Sequence, residues 1–314
     1  MLNNKHVRII CGSANRPLGI AIARKLNVPL CNTEMKLFSD GEVFVQINEN
    51  IRGANVFIIQ PTNPPAENIL ELLMLIEASR RASAKNITAV IPYYGYSRSD
   101  RKEMPRVCIG AKLIADLLVS AGANRVITMD LHAAQIQGFF TIPVDHLYSS
   151  IIFNGFLKEI PTKNLVVVSP DVGSIKVARS FAKTMHANLA IIDKRRPVQN
   201  QAEVVNIIGE VDGCDVIIRD DMIDTAGTLA AAATALKANG CGKIFACTAH
   251  GVLSGEALEK IDNSPIEKVI ISDSIDNSNR NLSDKFVILS CAETFAESID
   301  RIETDASVSI MFRE

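Results

Sequence analysis

The stretch DVIIRDDMIDTAGTLAAAATALKANG, Asp215 to Gly240, decides how the chain reads. Asp215 to Asp220 is an apolar run without alternation, the pattern of a strand covered on both faces. Ala226 to Ala238 carries helical periodicity and stops before Asn239 and Gly240, as a capped helix does. The same alternation extends in both directions. Further Val- and Ile-rich runs cover Val7 to Gly12, Asn55 to Pro61, Ile87 to Tyr93, Arg125 to Leu131, Leu165 to Pro170, Leu189 to Asp193, Lys243 to Ala249 and Lys268 to Asp273. Helical periodicity covers Glu67 to Ala82, Ile109 to Ser120 and Ile175 to Met185. Strands alternating with helices imply right-handed βαβ units in mostly parallel sheets, and the runs suffice for two sheets. Val43 to Asn48 and Arg196 to Gly213 read instead as antiparallel excursions.

At about 150 residues per domain, 314 residues suggest two domains. The weak pattern over Asp145 to Ser150 places the boundary there, giving domains 1–149 and 150–314. With 33 Lys plus Arg against 35 Asp plus Glu, the net charge of -2 argues against nucleic acid or a membrane surface as partner. An apolar share of 47% excludes a disordered chain. The seven cysteines are scattered without a C-x-x-C pair, which fits a reducing cytoplasm better than a disulfide framework. No targeting or membrane-spanning segment is read.

Ligands of open parallel sheets bind beyond the carboxyl ends of the strands. Those positions are polar here: Asp130 and His132, then Asp171, then Lys194 to Arg196, then Asp220, Asp221 and Asp224 to Thr228. Thr225, Ala226, Gly227 and Thr228 lead into a helix whose first N–H groups and dipole favour a phosphate. Asp220 and Asp221 would repel that phosphate unless they held sugar hydroxyls or a hydrated divalent cation, so the expected ligand is a phosphorylated sugar. The plainer alternative is that Thr225 caps the helix and the acids solvate a loop. Taken alone, Asp40-Gly41 is a hairpin connection, Tyr93 to Tyr96 a packing patch, and Arg98 to Arg106 a solvated mixed-charge loop.

Asp220 to Thr228 resembles the phosphoribosyl pyrophosphate motif of the type I phosphoribosyltransferase fold. With FSDGE (Phe38 to Glu42), PYYGYSRSDR (Pro92 to Arg101), MDLHAAQIQGFF (Met129 to Phe140), SPDVGS (Ser169 to Ser174) and IIDKRRP (Ile191 to Pro197), nearly the whole chain resembles the ribose-phosphate diphosphokinases, or phosphoribosyl pyrophosphate synthetases. The resemblance implies two tandem phosphoribosyltransferase-like α/β domains and Mg2+-dependent attack of the C1 hydroxyl of ribose 5-phosphate on the β-phosphorus of ATP, releasing AMP.

It also implies site residues. ATP falls to Phe38, Asp40, Gly41, Glu42, Arg98, Ser99 and Arg101, and ribose 5-phosphate to Asp220, Asp221, Asp224, Thr225, Ala226, Gly227 and Thr228. Metal contacts fall to Asp130, His132 and Asp171; on a strand end Asp130 and His132 would point the same way. Lys194 and Arg196, on a flap, would contact the transferring diphosphoryl group, and Arg195 receives no role. An allosteric phosphate or ADP site would draw on Arg52, Ser83, Ser307, Ser309 and Phe312, in a homo-oligomer that is usually hexameric. Four positions depart from the family pattern: Ser99 for Gln, Thr141 for Asp (with Asp145 remaining), Ser174 for Gly, and Arg219 for an apolar residue. A phosphoribosyltransferase consuming phosphoribosyl pyrophosphate and a non-catalytic regulatory paralogue are the competing readings.

Overall fold

A computed structural model describes residues 6–195 and 204–312. Among these residues the chain divides into two compact units, one formed by 6–148, 274–276 and 290–312, the other by 149–195, 204–273 and 277–289.

The first unit opens with β1 (Val7–Cys11) and α1 (Arg16–Leu26). Asn15 caps α1 by accepting from the Leu18 N–H at 3.1 Å, and Asn27 closes it in the left-handed region. A hairpin of β2 (Thr33–Leu37) and β3 (Val43–Ile47) follows, then β4 (Asn55–Ile59) and α2 (Glu67–Arg81). In α2, Ile69, Leu72, Leu75 and Ile76 recur at helical spacing and are the buried face. The chain continues through β5 (Asn86–Ile91), α3 (Gly110–Ala121), β6 (Arg125–Met129) and β7 (Val144–Leu147). Strands β1, β4, β5, β6 and β7 pair in parallel and in chain order, so this sheet has no reversal of strand order.

The second unit runs through α4 (Ser150–Glu159), β8 (Val166–Ser169), α5 (Ile175–Thr184), β9 (Asn188–Arg195), β10 (Val204–Ile208) and β11 (Val216–Ile223). It continues with α6 (Gly227–Ala238), β12 (Ile244–Gly251), α7 (Ala257–Asp262), β13 (Lys268–Ser272) and β14 (Phe286–Leu289). The strand order is β10-β9-β8-β11-β12-β13-β14, parallel except where β10 meets β9. Alternate residues divide between the two faces. Val216 and Ile218 join the cluster beneath α6 and α7, while Ile217 joins Phe153 and Phe181 of α4 and α5. The order reverses between β8 and β11, the place where an open α/β sheet leaves a crevice for a ligand.

Every apolar run read from sequence is a strand, and both antiparallel excursions carry antiparallel pairs. The structure departs from the expected boundaries in two ways. Val144–Leu147, within and just before the stretch read as patternless, is edge strand β7. Residues 290–312 also group with the first unit, whereas the sequence assigns all of 150–314 to the second domain. The cause is α8 (Ala292–Glu303), an amphipathic helix that packs on α1, with Lys25 pairing Glu293 at 2.9 Å.

Candidate active site

Two loops of the second unit flank the reversal point. After β8, Asp171 accepts the Ser174 N–H at 2.9 Å through Oδ1, and Ser169 donates its hydroxyl to the Asp171 carbonyl at 2.7 Å. Ser174 stands at φ -84, a conformation open to any residue, so the departure from Gly carries no backbone strain. Its hydroxyl donates to Asp220 Oδ1 at 2.7 Å, joining this loop to the C-terminal half of β11. Sequence reading singled out Ser174 only as a departure; a hydroxyl facing a strand end that carries two acids was the available signal.

Asp220 Oδ1 also accepts the Asp221 N–H at 2.9 Å. Burial, then the charge of Asp221 and, more weakly, that of Asp171 hold the Asp220 carboxyl well above the usual carboxylate range, while the Ser174 hydrogen bond works the other way. The expected residues then line up in order. Asp224 follows the strand, Ala226 takes the N-cap position of α6 at φ 58, and Thr225, Gly227 and Thr228 are exposed. Ala226 has no polar side chain to cap with, so the reading of Thr225 as helix cap does not hold. A non-glycine residue at positive φ is a costly conformation, of the kind that clusters where ligands are gripped. The arrangement offers acids for hydroxyls beside free helix N–H groups for a phosphate.

Lys194 lies in β9 opposite Val205. Arg196 lies outside the described residues.

In the first unit, Phe38 to Glu42 is the tip of the β2–β3 hairpin. Phe38 N–H donates to the Glu42 carbonyl at 2.8 Å, and Asp40 Oδ1 accepts the Glu42 N–H at 3.0 Å. Gly41 turns at φ 92, where a side chain would be strained. Phe38 is 48% exposed, edge-on to Phe44 at 5.5 Å. Arg98 and Arg101 are exposed, with Arg101 pairing Glu103 at 3.1 Å. Ser99 is occupied internally: its hydroxyl donates to the Cys108 carbonyl at 3.2 Å and accepts the Gly110 N–H at 3.0 Å, fastening the loop to the start of α3. Tyr93 and Tyr94 are buried packing residues, with Tyr94 donating to the Ala111 carbonyl at 2.9 Å.

The expected alignment of Asp130 with His132 does not hold. Asp130 is buried and turns into the left-handed region at φ 36, ending β6 and cancelling the two-residue alternation, while His132 is exposed. Asp145, the remaining acid near Thr141, pairs with Arg125 at 2.6 Å across β6 and β7. Among the described residues no three His, Cys, Asp or Glu side chains group as a metal site. Mg2+ commonly takes one or two carboxylates plus substrate phosphates and water, and Asp221 and Asp171 lie close enough for their charges to act on Asp220, so the carboxylate oxygens present fit that ion.

Of the residues expected at an allosteric site, Gly53, next to Arg52, donates its N–H to the Ser83 carbonyl at 2.8 Å. The hydroxyls of Ser307 and Ser309 meet at 3.0 Å, and Phe312 stacks edge-on against Tyr148 at 5.4 Å. Among the described contacts none joins the first pair to the terminal segment.

Residues 7–122 match the family model described as the N-terminal domain of ribose phosphate pyrophosphokinase, and residues 196–313 match the phosphoribosyl synthetase-associated domain. A ribose-phosphate pyrophosphokinase of Chlorobaculum tepidum is 52% identical over 307 residues, covering 98% of this chain and 95% of that protein. The chain belongs to the ribose-phosphate pyrophosphokinases. A Thermotoga maritima family member is 51% identical over 314 residues, covering 99% of each. The crystal structure of phosphoribosylpyrophosphate synthetase from Mycobacterium smegmatis matches with a TM-score of 0.91 at 34% identity, over 96% of this chain and 100% of that one. The two-domain α/β architecture expected from sequence is that of this family.

Proposed function

We propose that the chain makes 5-phosphoribosyl 1-pyrophosphate and AMP from ribose 5-phosphate and ATP, with the sugar phosphate bound in the second unit. The observation that carries this reading is the pairing of Asp220 and Asp221 with the open N-terminus of α6 at the point where strand order reverses. Thr225 to Thr228 hold the 5-phosphate, and the acids and Asp224 take the ring hydroxyls. Phe38, Asp40, Gly41, Glu42, Arg98 and Arg101 in the first unit hold ATP; Ser99 serves by shaping the loop rather than by touching nucleotide.

The C1 oxygen bonds to the β-phosphorus, the bond from that phosphorus to the bridging oxygen breaks, AMP departs with the electron pair, and the hydroxyl proton is released. Lys194 and Arg196 stabilise charge growing on the phosphoryl oxygens. In the second unit Asp171, beside Asp220, would contact Mg2+; in the first unit the contacts would be Asp130 and, through water, His132; a bound ion would neutralise charge on the triphosphate.

We place the protein in the cytoplasm; no described helix is long and apolar enough to cross a membrane. We also propose a homo-oligomer, hexameric as the family resemblance implies. A regulatory phosphate or ADP site would draw on the terminal Ser307 to Phe312 segment, Arg52 and Ser83; inhibition by ADP that is purely competitive with ATP would count against a separate site.

Phosphorus NMR of the protein with ATP, Mg2+ and ribose 5-phosphate tests the reaction. Sugar-dependent AMP with a new pyrophosphoryl ester is expected. ADP would mean ordinary kinase chemistry, and turnover of a nucleobase without ATP would mean a phosphoribosyltransferase. Absence of all turnover would favour a regulatory paralogue.

A further inference from the structure

Arg219 interrupts the apolar run of β11 and is nevertheless only 1% exposed. Its guanidinium carbon lies 5.4 Å from the ring centre of Phe153 and 5.6 Å from that of Phe181. It donates to the hydroxyl of Ser149 at 2.8 Å, to the Cys247 carbonyl at 3.4 Å and to the main-chain carbonyl of Asp220. Burying a guanidinium forfeits its hydration, and an apolar side chain of the same volume commonly serves stability as well or better. What the guanidinium adds is direction. A planar fork gripped between two rings and a serine fixes the carbonyl it meets, which neither Met nor Leu can do. Asp220 is thus held twice: by Arg219 at its main chain from within the core, and by Ser174 at its carboxylate from the loop after β8.

We propose that Arg219 and Ser174 are positioning residues that together fix Asp220 for the hydroxyls of ribose 5-phosphate, and so set the affinity for the sugar without touching it. The proposal rests on the reading of this unit as the sugar-phosphate site. It assigns a job to a buried cation that stability alone does not explain, and to a hydroxyl that the helix start does not need.

Steady-state kinetics with each substrate varied, calorimetric titration with ribose 5-phosphate and thermal melting of the full chain test it. Arg219→Met is expected to raise KM for ribose 5-phosphate about fivefold or more, with KM for ATP and kcat within about twofold and an equal or higher melting temperature. Arg219→Lys should recover part of the loss. Ser174→Ala should raise the same KM about threefold, and the double substitution should fall short of the product of the two, since both act on one residue. Unchanged sugar KM in Arg219→Met and Ser174→Ala overturns the proposal, as does a parallel rise for both substrates with a lowered melting temperature. If Arg219→Met does not fold, Ser174→Ala decides alone: an unchanged sugar KM is again fatal. Wild-type protein that neither binds ribose 5-phosphate nor forms AMP would bring down the underlying site reading and the proposal with it; wild-type binding with indifferent variants brings down the proposal alone.

Discussion

The carboxylate of Asp220 accepts the main-chain N–H of Asp221 at 2.9 Å, so the first acid is anchored by the backbone of the residue whose charge opposes its ionisation. The geometry of the pair is fixed before any sugar arrives, and the charge state is held poised.

Asp220→Asn should stabilise the fold while disabling the site. Between the ordinary carboxyl value of 3.8 and the raised value in the folded state, the native protein binds more protons than the unfolded chain, so stability falls as pH rises through that window. An amide removes the penalty. Thermal unfolding across a pH series should show a gain over wild type that grows with pH, while sugar-dependent turnover falls about 10- to 100-fold, the worth of a charged hydrogen bond. A lower melting temperature at alkaline pH would refute the account.

Gly227→Ala should separate stability from binding. A Cβ there meets nothing nearer than Thr225 Oγ1 at 4.0 Å, and Ala is a better helix former by about 0.8–1 kcal/mol in a helix interior, less at an end. The methyl group would stand where the 5-phosphate approaches the helix N-terminus. KM for ribose 5-phosphate should rise about tenfold or more with the melting temperature unchanged or higher.

Lys194→Ala should lower kcat by about 100- to 1,000-fold while changing KM little, since the contact proposed for it would strengthen as charge develops in the transition state. Single-turnover measurement of AMP formation reads this directly. Equal kcat with a raised KM would remove Lys194 from the chemistry.

Phe38→Ala tests the hairpin as a nucleotide platform. The ring is half exposed, so its loss should shift stability by about 0.5 kcal/mol or less. Base stacking on an aromatic side chain is worth about 1–3 kcal/mol, so KM for ATP should rise about five- to 100-fold with KM for the sugar unchanged.

The fold was legible wherever a strand is covered on both faces. Such strands read as unbroken apolar runs, as in VVVS of β8 and VII of β11. The strands that escaped are marginal ones: β2, β7 and β14 lie at edges or in the two-stranded hairpin, with only partial burial and therefore a diluted pattern. The place of α8 could not be read either, since an amphipathic helix announces that it must pack but not against what. In the site, the acids of β11 and the small residues that follow were legible as a group, and the structure sets them together at the start of α6. The hold of Arg219 and Ser174 on Asp220 was hidden, because both depend on residues far apart in sequence: 46 positions separate Ser174 from Asp220, and 70 separate Ser149 from Arg219. The period-two inference at Asp130 failed for a local reason, a left-handed turn that nothing in MDLH marks.

The return of α8 to α1 ties residues 268 positions apart. During synthesis, the first unit leaves the ribosome with the apolar side of α1 that α8 will cover still bare, and it stays so while every strand of the second unit is made. The unit that begins first is therefore finished last. A nascent chain stalled anywhere before Ala292 presents that surface to chaperones and proteases even when its second unit is folded.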